Sequence, residues 1–295
     1  MTHADSSHSV RMRTVRTVAD VRAALAAHKR AGATIALVPT MGALHEGHLS
    51  LIRHARVTAD VVVVSLFVNP AQFDEASDLA AYPRDEARDA ALAAEAGADV
   101  LFAPDAAEVY PAGFSTTVRV AGVTETLEGA HRGVEHFDGV ATVVLKLLNM
   151  VGPDVAVFGQ KDAQQAVVIR RLVRDLDVPV RIDVAPTVRE PDGLALSSRN
   201  VHLHNGQRDR ARALSLGLDA ARARLAAGER DAETLRTAAV EAMRAHGVEP
   251  EYVAVVAPDD LAPLQRVDDG ALLAVAAHVG TTRLIDNTFL EPEGH

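Results

Sequence analysis

The apolar positions of this chain change period repeatedly, and each change marks an element. Ile35-Ala36-Leu37-Val38 is an unbroken apolar run, and a longer one, broken only by Ser65, covers 61–68. Runs this uniform predict strands covered on both faces, as in a parallel sheet. Between them, 48–58 keeps its apolar residues three and four apart and reads as a helix. The alternation continues through helix 85–96, closed by Gly97, strand 100–102, helix 136–151, strand 155–158, a helix to Asp175 and strand 180–184. Upstream, Thr17-Val18-Ala19-Asp20 has capping-box spacing ahead of a helix that carries Val21, Leu25 and His28 on one face and stops by Gly32. Residues 105–135 hold no sustained period.

This β–α alternation predicts an α/β fold, a Rossmann-like doubly wound parallel sheet with right-handed crossovers. After about residue 187 the texture changes. A long Ala/Arg-rich helix over 205–227, a second over 231–246 and strand-like stretches at 251–256, 271–278 and 282–286 predict a second, smaller α+β C-terminal domain. The expected division is a disordered tail over 1–13, a nucleotide-binding domain over 14–187 and a C-terminal lid domain over 188–295. Arg189-Glu190-Pro191-Asp192-Gly193 between them has hinge composition.

Composition removes several classes. With 48% apolar residues in 295, a substantial core is available, and with 3% aromatics and no Trp it must be built from Ala, Val and Leu. A net charge of −10 speaks against a general nucleic-acid binder. The absence of Cys excludes disulfides, thiolate metal sites and Cys nucleophiles. The polar start and the short apolar runs point to a cytoplasmic protein with no membrane partner. Only Lys29, Lys146 and Lys161 are lysine among 30 basic residues. In a chain that so favours Arg, a retained Lys suggests a need for a compact ammonium, although Lys29 reads as an incidental surface residue.

Ligands of doubly wound sheets sit at the carboxyl ends of strands, where 39–48, 69–72 and 159–162 all fall. Pro39-Thr40-Met41-Gly42-Ala43-Leu44-His45-Glu46-Gly47-His48 runs from strand to helix through a glycine turn, which presents backbone N–H groups to an anion. Alone, His45 and His48 could be ordinary turn residues; without Cys or a third His they make a poor zinc site. As phosphate donors they make better sense, with Gly47 letting the backbone approach a ligand. The chain has no Gly-x-Gly and no Gly-Lys, so neither the dinucleotide fingerprint nor the Walker A loop is present. Gly159-Gln160-Lys161-Asp162 opens a helix after a strand; Lys161 would neutralise phosphate and Asp162 would accept from ribose or cap the helix. Leu196-Ser197-Ser198-Arg199 offers hydroxyls, N–H groups and a guanidinium suited to a triphosphate, or forms a simple turn cluster. Asn69, Gln72 and Gln165 are neutral amides suited to the hydroxyls and carboxylate of a small polar substrate.

Taken together, these motifs resemble the pantoate–β-alanine ligase family. The likeness runs from about 14 to 290 and rests on 39–48, Phe-Val-Asn-Pro-Ala-Gln-Phe at 67–73, Tyr-Pro-Arg at 82–84 and His-Phe-Asp-Gly-Val at 136–140. It rests further on Gly-Gln-Lys-Asp at 159–162, Gln164-Gln165, Leu-Ser-Ser-Arg-Asn at 196–200 and Thr-Arg-Leu-Ile-Asp-Asn at 282–287. The resemblance implies a homodimer whose C-terminal domain closes over the site. It implies that pantoate attacks ATP to give a pantoyl adenylate and pyrophosphate, and that β-alanine then displaces AMP. Mg²⁺ is expected with the ATP.

Carried over by residue, the resemblance puts ATP against Met41, Gly42, Ala43, Leu44, His45, Glu46, Gly47 and His48, with His48 the proton donor. Gly159, Gln160, Lys161 and Asp162 hold ribose and phosphates, the Val188 backbone meets adenine, and Leu196, Ser197, Ser198 and Arg199 bind phosphates. Gln72, Gln165 and Asn69 contact pantoate, Gln72 also β-alanine, and Asp89 lies near Mg²⁺. His45, His48, Lys161 and Arg199 form the catalytic set, supplying positive or donating groups to charge that develops on phosphate; with pyrophosphate a fair leaving group, His48 acts mainly as a hydrogen-bond donor. Three positions depart from the family pattern: Ala163 replaces an aromatic, Leu196 replaces Met, and the Arg132–His136 spacing is one residue long. The rival readings are adenylyl transfer to a phosphorylated substrate on the same fold, and a catalytically silent nucleotide-binding module.

Overall fold

The two apolar runs form adjacent strands, β2 (Ile35–Thr40) and β3 (Val61–Leu66), parallel and with Leu37 opposite Val63. The computed structural model describes residues 12–73, 79–80, 82–204 and 206–292. Most of the tail expected over 1–13 lies outside these residues. Its last member, Arg13, instead begins strand β1 (Arg13–Val15), which pairs with β4 (Val100–Phe102). This strand is too short to show a period. With β5 (Val155–Gly159) and β6 (Arg181–Ala185) the sheet is wholly parallel, in the order β1-β4-β3-β2-β5-β6. The order reverses between β2 and β5, and the crevice beyond their carboxyl ends is where this architecture binds ligands.

Alternate strand residues feed opposite faces. Leu37, Val63 and Phe102 join α1 (Val18–Arg30) and, further along the chain, the helices Val134–Val151 and Ala163–Asp175 in one core layer. Val38, Val64 and Val157 meet α2 (Glu46–Thr58) and α3 (Glu86–Glu95) in the other, through Leu51, Ile52, Ala55 and Ala93. The irregular region contains two short helices, α4 (Ala106–Val109) and α5 (Glu128–Arg132), before α6 (Val134–Val151) and α7 (Ala163–Asp175).

Helix α6 is apolar on most sides because it is buried on most sides. Its last carbonyls lack partners within the helix. Lys29 Nζ donates to the carbonyl of Val151 at 2.8 Å, and the Arg22 guanidinium donates to Asn149 and Met150. Lys29 is therefore not an incidental surface lysine; it caps a buried helix, where a cation also suits the helix dipole. Lys146 serves differently, sitting 4.5 Å from the ring centre of Phe114.

The C-terminal part comprises α8 (Gln207–Ala211), α9 (Ala213–Ala226), α10 (Ala232–Ala245) and an antiparallel sheet β7 (Pro250–Val256), β8 (Ala271–Val279), β9 (Thr282–Leu290). The single long helix expected over 205–227 is divided at Arg212, whose guanidinium turns to the Asp192 carbonyl. Val253, Val255, Leu273 and Val275 pack on α9 and α10, whereas Val256 and Leu272 join the core layer around α6. The smaller sheet is thereby seated directly on the larger fold.

The 189–193 stretch folds as a hairpin fastened by its own bonds and by Arg208. Glu190 N–H donates to Leu194 O, Gly193 N–H donates to Glu190 O, and Arg208 ties down both Glu190 and Asp192. Composition reports the turn residues but not the ion pairs that fasten them. Among the described residues, no helix is long and apolar enough to cross a membrane.

Candidate active site

The turn after β2 is built around a carboxylate. Ala43 takes a left-handed backbone conformation, φ +51°, which a non-glycine residue holds only when its surroundings enforce it. Asp89 on α3 supplies the enforcement: its two oxygens accept the N–H groups of Ala43 and Leu44, each at 2.8 Å. Asp89 is 1% exposed and lies beneath the turn. Both oxygens are turned to backbone, and Asp89 does not line the cleft in which a nucleotide-bound Mg²⁺ is expected. Leu44 points into the core, and Glu46 points outward to Arg53. Of 41–48, the cleft is lined by Met41, Ala43, His45, Gly47 and His48; Gly42, Leu44 and Glu46 shape the turn without facing it.

The two histidines cap the helix they introduce. His45 Nδ1 accepts from Gly47 N–H at 3.1 Å, and His48 Nδ1 accepts from His45 N–H at 3.4 Å. Both Nδ1 atoms are acceptors, so in the neutral tautomer assigned from these bonds each ring carries its proton on Nε2. Burial, with His45 as a second cause, lowers the His48 pKa to about 3. Burial, then Lys161, lowers that of His45. The pair is therefore uncharged near neutrality. His48 offers a neutral Nε2–H, which suits hydrogen bonding to a phosphate oxygen rather than the proton-donor role. A Cβ on Gly47 would sit 2.9 Å from Cε1 of the His45 ring, so a larger residue there would displace that imidazole.

Across the switch point, β5 runs into a 3-10 turn, Gln160–Asp162, and then α7. Lys161 lies in the cleft wall with Asp162 at 3.8 Å. Gln160 does not face the cleft; its amide reaches Asn287. The twin glutamines both border the cleft but differ in what they bind. Gln164 is buried and pins the preceding loop, accepting Glu128 N–H and donating to Val123 O and Thr126 O. Gln165 lines the cleft beside Ala163.

The third wall is the hairpin strand that carries Val188 and 196–199. Leu196 N–H donates to Val188 O at 2.9 Å, and Ser197 Oγ caps the turn Ser198–His202. Arg199 faces the open cleft. Surrounding protein first, and Arg132 second, pull its pKa down. Among the described residues, no carboxylate pairs with its guanidinium.

Gln72 closes the fourth side. Its Oε1 accepts from Asn69 Nδ2 at 3.0 Å, which leaves its Nε2 for the cleft. Asn69 is only 1% exposed, and all its polar capacity is engaged: it also donates to Gly139 O and accepts from Tyr110 Oη and Ala71 N–H. It therefore orients Gln72 and does not itself reach the cleft, contrary to the expected pantoate contact.

These walls enclose about 900 Å³. Glu128 on α5 and Tyr252 on β7 line the cleft without having been singled out from the sequence, and Arg132 on α5 with Ile285 and Asn287 on β9 line it without having been given a role there. Arg132 reaches the cleft despite its lengthened spacing and pairs with Glu128. Glu128 also accepts two bonds from Arg283 and one from Tyr252 Oη. Burial pushes the Glu128 pKa up, but Arg283, Tyr252 and Arg132 together outweigh it and the net shift is downward. The four-residue spacing of Glu128 and Arg132 was the one available signal.

Residues 13–289 match the sequence model of the family described as pantoate-beta-alanine ligase. The chain belongs to the pantoate–β-alanine ligase family. A pantothenate synthetase of Chelativorans sp. (strain BNC1) is 57% identical over 92% of this chain and 95% of its own. That of Moorella thermoacetica is 53% identical over 95% and 99%. The crystal structure of the Thermus thermophilus pantothenate synthetase superposes with a TM-score of 0.88 at 48% identity, over 95% of this chain and all of that one. The Francisella tularensis pantoate-beta-alanine ligase, complexed with beta-gamma ATP and beta-alanine, superposes at 0.73 with 33% identity over 94% and 97%. Every motif of the pantoate–β-alanine ligase pattern quoted from the sequence contributes at least one residue to the same cleft.

Proposed function

We propose that this chain, a ligase of the pantoate–β-alanine family, uses ATP to condense (R)-pantoate with β-alanine in the cleft between β2 and β5. The observation that carries the reading is the convergence of two neutral imidazoles, Lys161 and Arg199, which has no ion pair among the described residues, beside the glutamine amides of Gln72 and Gln165. Cations and donors suit a triphosphate, and amides suit a small hydroxy acid.

In the first half-reaction a pantoate carboxylate oxygen bonds to the α-phosphorus of ATP. The bond to the bridging oxygen breaks and pyrophosphate leaves. This brings anions together, so positioning and charge neutralisation do most of the work. His45 and His48 donate Nε2–H to phosphate oxygens without themselves changing charge. Lys161 and Arg199 neutralise the departing pyrophosphate, Asp162 accepts from ribose, and Val188 offers its backbone to adenine. Gln72 and Gln165 hold pantoate. In the second half-reaction the β-alanine amine attacks the acyl carbon, loses a proton and expels AMP, with Gln72 orienting the amino acid. Mg²⁺ enters as a substrate with ATP, consistent with its preference for phosphate oxygens and water.

The reading includes residues 14–187 as the nucleotide lobe and 188–295 as a lid that shields the adenylate from water, and a homodimer in solution, checked by mass. Incubation with ATP, Mg²⁺, pantoate and β-alanine tests the activity. AMP and pantothenate formed together, with AMP dependent on pantoate, support it; ATP left intact under all these conditions sinks it.

A further inference from the structure

The motif Thr-Arg-Leu-Ile-Asp-Asn at 282–287 has no place in the reaction just described, yet two of its residues are among the most buried polar groups of the protein. Asp286 is 2% exposed and Asn287 3%, both on β9. Burying an amide and a carboxylate side by side is costly unless each is fully engaged, so their partners reveal what they are for.

Asn287 grips the turn that carries Lys161. Its Nδ2 donates to the carbonyls of Gln160 and Lys161, both at 2.9 Å, and its Oδ1 accepts from Gln160 Nε2 at 3.3 Å. The two carbonyls belong to the 3-10 turn at the end of β5 that carries Lys161. Asp286 grips the opposite wall. It accepts from Arg189 through both oxygens, at 2.7 and 3.0 Å. Arg189 also donates to Gly193 O and adjoins Val188, to which Leu196 is bonded ahead of Ser197, Ser198 and Arg199. One dipeptide of β9 therefore holds two loops that α7 and β6 separate along the chain.

We propose that Asp286 and Asn287 are positioning residues that set the separation of Lys161 and Arg199, and so the width of the triphosphate site. The proposal rests on the adenylation reading above. Neither residue is asked to touch ATP. Both chemistries fit that role, since an amide presents two donors to two carbonyls and a bidentate carboxylate fixes both the distance and the plane of a guanidinium. The placement matters because a displacement of about 1 Å at a phosphate-contacting group costs about 10²-fold in rate.

The decisive experiment is a double-mutant cycle with two readouts: affinity for a non-hydrolysable ATP analogue with Mg²⁺, and pantoate-dependent AMP formation. Asn287→Ala is expected to weaken analogue binding about 10-fold and to lower turnover by at least as much, while leaving a single cooperative unfolding transition. In a Lys161→Ala background the same substitution should change either readout less than about 2-fold, because the group it positions is gone. Asn287→Asp, of the same shape, turns an oxygen toward the two carbonyls and should be at least as damaging as Ala; Asp286→Asn should couple likewise to Arg199→Ala. Additive losses, equal in the two backgrounds, would identify a purely structural role and overturn the proposal, as would wild-type binding by Asn287→Ala. A wild-type protein that binds the analogue but forms no AMP would overturn the adenylation reading while the binding cycle still decides the positioning claim; a wild-type protein that fails to bind the analogue overturns both.

Discussion

The imidazole of His48 lies 4.1 Å from that of His45, centre to centre and tilted by 33°, and each ring accepts a backbone N–H of the same turn. Capping thus commits both δ nitrogens and leaves two ε N–H groups for the ligand. Replacing His48 by Ala should lower kcat about 10²–10³-fold, the usual cost of one donor to developing charge. His48→Gln, which retains an N–H donor, should recover part of it. Near-normal turnover in the Ala variant would remove His48 from the reaction.

The depressed pKa of His48 makes a second claim. The unfolded chain binds a proton at this residue below about pH 6.5, whereas the folded protein resists protonation down to about 3. Between those values the unfolded state binds more protons, so the stability contributed by neutral burial is present above about 6.5 and is lost as pH falls toward 3. Urea unfolding of the wild type should therefore show a steeper loss on acidification than His48→Ala. Parallel pH profiles for the two proteins would contradict the buried neutral imidazole.

Asp89 provides a contrast between a metal ligand and a scaffold. Asp89→Asn leaves at least one buried N–H of the Ala43–Leu44 turn poorly matched, which costs about 1–3 kcal/mol. Stability and apparent ATP affinity should fall, while the Mg²⁺ concentration giving half-maximal activity should not move once ATP is saturating. A shifted Mg²⁺ requirement with unchanged stability would restore the metal role.

Gly139, inside α6, is where the helix backbone meets the 70–72 turn. A Cβ there would overlap the Ala71 carbonyl, coming within 2.7 Å of its carbon. On propensity alone Gly139→Ala would stabilise a helix by about 0.5–1 kcal/mol. Overpacking costs about 1–3 kcal/mol and should win. Because Asn69 Nδ2 also binds Gly139 O, the variant should raise the KM for pantoate more than that for ATP. A more stable variant with unchanged KM values would show that the close contact is relieved at no cost.

Glu128 joins α5 to β9 and β7 through Arg283 and Tyr252. Glu128→Gln removes one of the two carboxylates on Arg283, which keeps Glu251, and should cost about 1–3 kcal/mol. A melting temperature unchanged by the substitution would mean that water replaces the pair.

The parallel sheet was legible because β2, β3 and β5 are buried on both faces and therefore written as continuous apolar runs. The cleft was legible where chemistry is concentrated in short motifs at strand ends, as with His45, His48, Lys161 and Arg199. What the residues could not tell was direction. Leu44, Glu46 and Gln160 sit inside the right motifs but face the core, the solvent and β9 respectively. Asn69 and Asp89 are polar residues near the site whose polarity goes to backbone and to Gln72, a distinction visible only once burial and partners are known. Strand β1 was missed because three residues carry no period, and the break at Arg212 because its cause is a contact with the 189–193 turn, distant in sequence.

The contact between Gln160 and Asn287 closes a loop of 127 residues. A chain emerging from the ribosome has all six strands of its parallel sheet, both capping histidines and Lys161 long before it has β9. On the proposal made for Asn287, that partly made protein has the layout of a nucleotide site without its spacing. Activation of a carboxylate, which yields a species prone to hydrolysis, then reaches its full rate only when translation has delivered the last strand. The order in which the polypeptide is read thus leaves the spacing of the nucleotide site to be completed last.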